Sequence, residues 1–317
     1  MNKDLNDYAK KFVKLSVDRA RGIAPHKPTL LLSVIELIEQ QKIQRNQIYL
    51  SPELIATFLK YWSTLVTTNH RADIALPFFH LTSEKFWHLV PNAGFEATIA
   101  AKVRLKTLSA LRSAVKYASL DEELFQLLQT PAARLQLIEV LIQTWFPAKI
   151  DDYQQIYQVD ELENVQLRLF EKGGAVYNIE DLKDEEKTIV RDAAFRRVVV
   201  SIYQQHCAFC KLKIVSQDSQ NIVDGAHIKP FSEFRDERFD NGIALCKNHH
   251  WAFDHGWFGI GDDYRIIVPP DRIYEQAPAD MRSIRDFDGE PILLPFQTTY
   301  NPRVESLQWH RDFWKIA

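Results

Sequence analysis

Between residues 207 and 256 the chain gathers all three of its cysteines and four of its ten histidines. Cys207 and Cys210 form a C-x-x-C pair, and Cys246 with His249 forms C-x-x-H. Each pair places two ligands on one tight turn, so the two pincers can close a tetrahedral Cys3His zinc (Zn2+) site. An odd cysteine count in metal-ligand spacing argues for zinc in a reducing cytoplasm rather than for disulfides. Between the pincers lie Asp224-Gly225-Ala226-His227-Ile228 and Asn241-Gly242. His250 and Asp254 follow, four residues apart and therefore on one face of a helix.

This order of C-x-x-C, DGAHI, NGxxLC and HHxxFDxG resembles the HNH (ββα-metal) nucleases. The resemblance covers about fifty residues, with His227, Asn241 and His250 as the three letters. It implies that His227, at the end of the first strand, is the general base. It places Asn241 in the loop between strand and helix, holding that loop and orienting the histidine. His250 and Asp254 become ligands of a catalytic Mg2+ or Mn2+, while His249 completes the structural zinc site. A register shift of one residue would exchange the two histidines. Many HNH enzymes carry Asp or His immediately before the base. Here that position is Ala226, and Asp224, on the same side of a strand two residues earlier, stands where it can substitute.

A length of 317 residues is enough for two domains, and 46% hydrophobic with 26% charged residues is ordinary for a globular chain. There is no apolar run long enough for a membrane helix. The first residues, MNKDLNDYAKKF, lack a signal-peptide core, so the expected location is cytoplasmic. The net charge of −3 conceals an asymmetry. Residues 1–118 carry 17 Lys+Arg against 9 Asp+Glu, residues 119–192 carry 7 against 16, and residues 193–317 carry 15 against 17. The basic excess marks the N-terminal part as the phosphate-binding surface.

Along that part, residues 2–22 read as a helix. Thr29 can cap a buried helix from Leu30 to Gln41, and Ser51-Pro52-Glu53 opens another. Residues 74–90 change period and read as a β-hairpin, with FFHL and FWHLV flanking a turn. Residues 99–116 read as a basic helix, Ser119 as the cap of a helix through Gln129, and Pro131 as the start of one ending near Phe146. Residues 148–190 are acidic and read as a linker or connecting layer. Residues 191–205 read as the helix leading into the cysteine cluster, and WFGIGDDYRIIV as a hairpin. The tail with its tryptophans is expected to pack back on the C-terminal domain.

APHKPTLLLSVIELIE, SPELIATFLKYW, LPFFHL with FWHLV, and ASLDEELFQLL together resemble the sulfur-binding domain, which recognises phosphorothioated DNA and occurs fused to HNH modules. The family uses a Tyr-Pro-centred pocket beside a basic residue. The matching positions here are Leu76 and Pro77, with Phe78 and His80 close by, plus His26 and Lys27. Leu76 stands where the family has the aromatic residue, and His80 where a small residue is usual. Lys102, Arg104 and Lys106 would contact backbone phosphates or a base edge. Sulfur is larger, softer and more weakly hydrated than oxygen. Apolar walls within a basic surround therefore cost sulfur little desolvation, yet strip water from a phosphate oxygen without replacement.

The expectation is an α+β protein in three parts. Residues 1–147 form a mainly helical, sulfur-binding-like domain with a small hairpin, 148–190 the acidic connection, and 191–317 the ββα-metal HNH domain with structural zinc. The expected activity is metal-dependent cleavage of double-stranded, phosphorothioated DNA. Double-strand cutting by one HNH site per chain would suggest a homodimer on DNA. Two alternatives stay open: an HNH endonuclease reading another modification or a plain sequence, and a zinc-stapled, non-catalytic DNA-binding regulator.

Overall fold

A computed structural model describes residues 4–20, 22–101, 103, 105, 107–216, 220–276, 278 and 280–316. The chain divides into two compact units: Met1–Leu162 with Asp184–Val190, and Glu163–Lys183 with Arg191–Ala317.

In the first unit α1 (Leu5–Val13) begins in a capping box between Asp4 and Asp7 and buries Tyr8 and Phe12. It ends well short of residue 22. The central element is α2 (His26–Glu39), whose residues 27–38 are all buried. It starts earlier than the prolines suggested, because Pro28 occupies the first turn, where a backbone N–H has no helical partner. Thr29 is accordingly no cap; its hydroxyl donates to the Pro25 carbonyl at 2.8 Å. Ser51 does cap α3 (Pro52–Leu65), accepting from the Leu54 amide.

The expected hairpin over 74–90 is not formed. Residues Ala75–His80 are a helix, α4, with the Asp73 carboxylate accepting from the Leu76 amide at 3.1 Å. Pro77 again falls in the first turn, so the FFHL stretch winds up instead of extending. Only β1 (Trp87–Pro91) is a strand, and its partner is distant in sequence: β2 (Val115–Leu120), antiparallel, with Trp87 opposite Leu120. The basic stretch 99–116 is likewise not one helix. It contains the end of α5 (Glu96–Ala100), then α6 (Leu108–Ala114) capped by Thr107, and its last two residues begin β2. Ser119 sits in that strand, so α7 (Glu122–Gln129) takes Asp121 as its cap position. Next comes α8 (Pro131–Trp145), which packs on α1, α2 and α7.

The acidic stretch is structured, and α9 (Ile150–Ile156) docks on a buried ionic cluster. Glu36 of α2 receives Lys60 of α3 at 2.7 and 2.8 Å and also the Tyr61 hydroxyl. Tyr153 stacks on Tyr61, Tyr157 donates to Glu39, and the Lys60 ammonium reaches the Val159 carbonyl at 3.0 Å. Removing one partner of a buried pair strands the other charge. Lys60→Met is therefore expected to destabilise the first unit by about 3–5 kcal/mol, read as a lower midpoint in chemical denaturation. A shift below about 1 kcal/mol would show that the pair behaves as a surface bridge.

The second unit contains most of α10 (Glu161–Glu171), and α11 (Glu185–Ile202) enters it at Arg191. Strands β3 (Val223–His227) and β4 (Gly242–Cys246) pair antiparallel in the register Val223–Cys246 to His227–Gly242. A short helix, α12 (Phe231–Phe234), lies in the connection between the two strands, and α13 (Lys247–Asp254) follows β4 directly, completing a ββα unit. Helix α11 lies so close to the strand pair that side chains are excluded there. A Cβ on Gly225 would come within 2.7 Å of the Arg196 carbonyl oxygen, and one on Gly242 within 2.6 Å of Val199. Beyond this core β5 (Gly259–Ile260) and β6 (Ile266–Ile267) form the expected hairpin. Helix α14 (Val304–Trp314) packs back, its buried His310 stacked on Phe253 of α13 at 3.7 Å and bonded to the Phe253 carbonyl.

Candidate active site and DNA face

The four pincer residues come together. One donor atom from each of Cys207, Cys210, Cys246 and His249 lies within 4.8 Å of the others. His249 Nδ1 is 3.0 Å from Cys246 Sγ and 3.7 Å from Cys207 Sγ, and all three cysteines are free of disulfides. Tetrahedral coordination at the Zn–S length of about 2.3 Å spaces ligands by about 3.8 Å, so the donor set and its spacing fit zinc. Phe209 stacks on the His249 ring at 4.1 Å and shields the cluster on that side.

His227 ends β3 with its ring parallel to Phe195 of α11, centroids 4.1 Å apart. Its Nε2 is buried with no hydrogen-bond partner. Asp192 and Glu237 each bring a carboxylate oxygen within 4.8 Å of a ring nitrogen. Burial, then the charge of Arg196, pushes the His227 pKa down to about 3. Glu237, fully buried beside Arg191 at 3.1 Å, is pushed up to about 7 by burial, which that guanidinium only partly offsets.

Asn241 is also fully buried. It lies between the two strands, immediately before β4, not between strand and helix. Its side chain accepts from the Lys229 amide and donates to the Lys229 and Asp236 carbonyls. It thus ties the β3–β4 loop, while the His227 ring is fixed by Phe195.

His250 and Asp254 share a face of α13, with Nε2 to Oδ2 at 3.4 Å. The other ring nitrogen of His250 lies 3.6 Å from Asp224. A cavity of about 330 Å³ is lined by His227, His250, Asp254 and Arg196, together with Trp309 and Phe313 of α14. Asp224 is not part of that lining. Its carboxylate holds Arg196 at 3.3 Å and Lys247 at 3.0 Å. Burial raises its pKa, but the hydrogen bonds with His250 and Lys247 and the charge of Arg196 outweigh that and hold it low. The imidazole nitrogen and carboxylate oxygen facing the cavity fit a divalent cation of the Mg2+ or Mn2+ kind.

The depressed His227 pKa has two consequences. Between about 6.5, where an unfolded histidine titrates, and about 3 in the fold, the unfolded chain binds a proton that the folded chain does not. Stability therefore falls as pH drops through that window. The base also stays neutral well below pH 6.5, so kcat/KM for any reaction it serves is expected to show no acid limb centred there. A pH–rate profile with a half-point near 6.5 would place His227 in a solvated setting.

Sequence reasoning missed Asp192, Phe195, Arg196 and Glu237, which reach the site from α11 and from the loop before β4. It also missed Trp309 and Phe313. None belongs to a ligand motif; the tertiary packing of α11, α14 and the loop before β4 brings them in.

On the first unit, His26 Nε2 bonds the Arg71 carbonyl at 3.0 Å and its ring packs on Trp62. Burial lowers its pKa. Two expected contacts need correction. Lys27 is only 7% exposed, its ammonium 2.5 Å from Glu84 and 2.8 Å from Ser83, so it is an internal tie and not a phosphate ligand. Phe78 is fully buried edge-on to Trp87, because the helix turns it inward. Pro77 is buried beside it, Leu76 is partly exposed and His80 is exposed. Lys102, Arg104 and Lys106 lie outside the described residues.

Residues 6–157 match the family described as the ScoMcrA-like DNA sulfur-binding domain, and residues 207–261 match HNH endonuclease. No curated protein matches the chain at a significant level. Among solved structures, the modification-dependent TagI restriction endonuclease aligns at 21% identity over 39% of this chain, with a TM-score of 0.29. The chain spans only 38% of that structure's length. The type IV phosphorothioation-dependent restriction endonuclease ScoMcrA aligns at 12% identity over 80% of this chain and 95% of its own, with a TM-score of 0.34. Among the described residues no helix is long and apolar enough to cross a membrane. The chain therefore joins a ScoMcrA-like DNA sulfur-binding domain to an HNH endonuclease domain.

Proposed function

We propose that this protein is a modification-dependent HNH endodeoxyribonuclease that binds phosphorothioated duplex DNA through its first unit and hydrolyses a nearby phosphodiester with its second. The observation that carries the reading is the single cavity shared by His227, His250 and Asp254, in a chain that also bears a sulfur-binding domain. A neutral imidazole at His227, held by Phe195, takes the proton of the attacking water. Asn241 keeps the β3–β4 loop closed behind it. His250 and Asp254 would hold the catalytic Mg2+ or Mn2+, with Asp224 orienting His250 from its other nitrogen in the manner of a carboxylate behind a ligating histidine. When bound, that cation neutralises charge on the phosphoryl oxygens and eases departure of the 3′ oxygen. Zinc at Cys207, Cys210, Cys246 and His249 has a structural task, fixing the turn before β3 to the start of α13. On the first unit, the exposed side of α4 at Leu76 and His80, with Pro77 beneath, offers the apolar contact that sulfur tolerates and hydrated oxygen does not.

The test is to incubate the protein with matched phosphorothioated and unmodified plasmids in Mg2+ or Mn2+. Cutting confined to the modified plasmid supports the reading. Equal cutting of both refutes sulfur dependence, and binding without cutting of either refutes the nuclease.

A further inference from the structure

We propose that Trp309 and Phe313 form a nucleobase-stacking subsite for the nucleotide flanking the scissile phosphate. The inference rests on the nuclease reading above and adds a substrate contact outside the HNH match, which ends at residue 261.

The two residues are four apart on α14 and so lie on one face. Their rings stack at 5.1 Å with an interplanar angle of 18°. Phe234 abuts Trp309 edge-on at 5.1 Å, backing the inner end of the stack. Phe313, the outer ring, is 56% exposed. Trp314 meets Phe313 edge-on at 5.1 Å, so the stacked pair with its edge-on neighbours forms an aromatic wall against which one more flat ring can pack. The exposed Phe313 ring belongs to the lining of the cavity that holds His227, His250 and Asp254.

That cavity joins two chemistries. Its ionic part, with Arg196, His250 and Asp254, suits a phosphate and a cation, and its aromatic part suits a flat heterocycle. A nucleotide carries both in covalent linkage, which commits the aromatic wall to a base adjoining the cut. Stacking on an aromatic ring accepts any base, so the subsite strips one base from its neighbours without reading its identity. Sequence or modification readout is thereby left to the first unit.

The full-length protein is tested on a phosphorothioated duplex whose cut position has been mapped. Single abasic nucleotides are then placed on either side of the cut. The expected result is a loss of kcat/KM of roughly tenfold at one position for the wild type. Phe313→Ala loses the same on the intact duplex and nothing further on that abasic duplex, while Phe313→Trp retains activity. A second measurement separates the subsite from the chemistry. With 2-aminopurine at that position and His227→Ala as the binding protein, fluorescence changes on complex formation, and adding Phe313→Ala abolishes the change. If the wild type cuts nothing, the nuclease reading fails, and a 2-aminopurine scan along the duplex still decides the subsite. The proposal is overturned if no position gives a signal that depends on Phe313. It is also overturned if the abasic and Phe313→Ala losses multiply, or if Phe313→Ala only breaks a dimer in sedimentation, which would make a second copy the occupant.

Discussion

Replacing His227 with alanine lowers the rate of strand scission by about 10²–10⁴-fold, the usual contribution of a positioned general base, and leaves affinity for phosphorothioated duplex unchanged. The size follows from the setting of the ring. It is pinned against Phe195, partly enclosed, and neutral across the physiological range because burial and Arg196 disfavour its proton. No second imidazole of the cavity wall stands ready to replace it: His250 is bracketed by Asp224 and Asp254, and His310 is stacked on Phe253 and bonded to its carbonyl. Single-turnover cleavage and fluorescence anisotropy on the same duplex make the check. Wild-type cleavage by the variant would move the base to another group. Cleavage and binding lost together would mean that the variant has misfolded.

Stripping zinc, or substituting Cys207 with serine, is expected to unfold the second unit and abolish cleavage, while the first unit still binds modified DNA. Structural zinc in small domains contributes about 10–16 kcal/mol, as much as the whole folding free energy of a typical domain, about 5–15 kcal/mol. The strand pairs of the second unit are five and two residues long. The cluster also joins segments almost forty residues apart in the chain, Cys207–Cys210 and Cys246–His249. Metal analysis should give one zinc per chain, and thermal melting monitored with and without chelator should lose one transition. A chelated protein that retains both transitions would show that the apolar core alone holds the unit.

Much of the second unit was legible because its chemistry obeys fixed spacing. Two-residue gaps bring ligands onto one turn, and the four-residue step from His250 to Asp254 sets them on one helix face whatever surrounds them. The first unit was less so. The change of period over residues 74–90 points to a hairpin, yet Pro77 in a first turn and Asp73 as a local acceptor favour a helix at FFHL. The true strand, Trp87–Pro91, pairs with residues 115–120, a partnership that no local pattern announces. The family resemblance places Lys27 on the DNA face; only its neighbours Ser83 and Glu84, more than fifty residues away, show that its charge is already engaged. The same limit hid Asp192, Arg196, Trp309 and Phe313, whose placement depends on tertiary packing and not on spacing.

Two motif letters that bear no functional group carry a consequence of their own. Gly225 and Gly242 are thin spots over which α11 passes, and even a methyl group there would overlap Arg196 or Val199. Random mutagenesis scored for lost cleavage should therefore recover alanine at these positions as readily as changes at His227. Such variants would fail by lifting the guanidinium and carboxylate of α11 off the reaction centre, a defect of thickness that no added metal could cure.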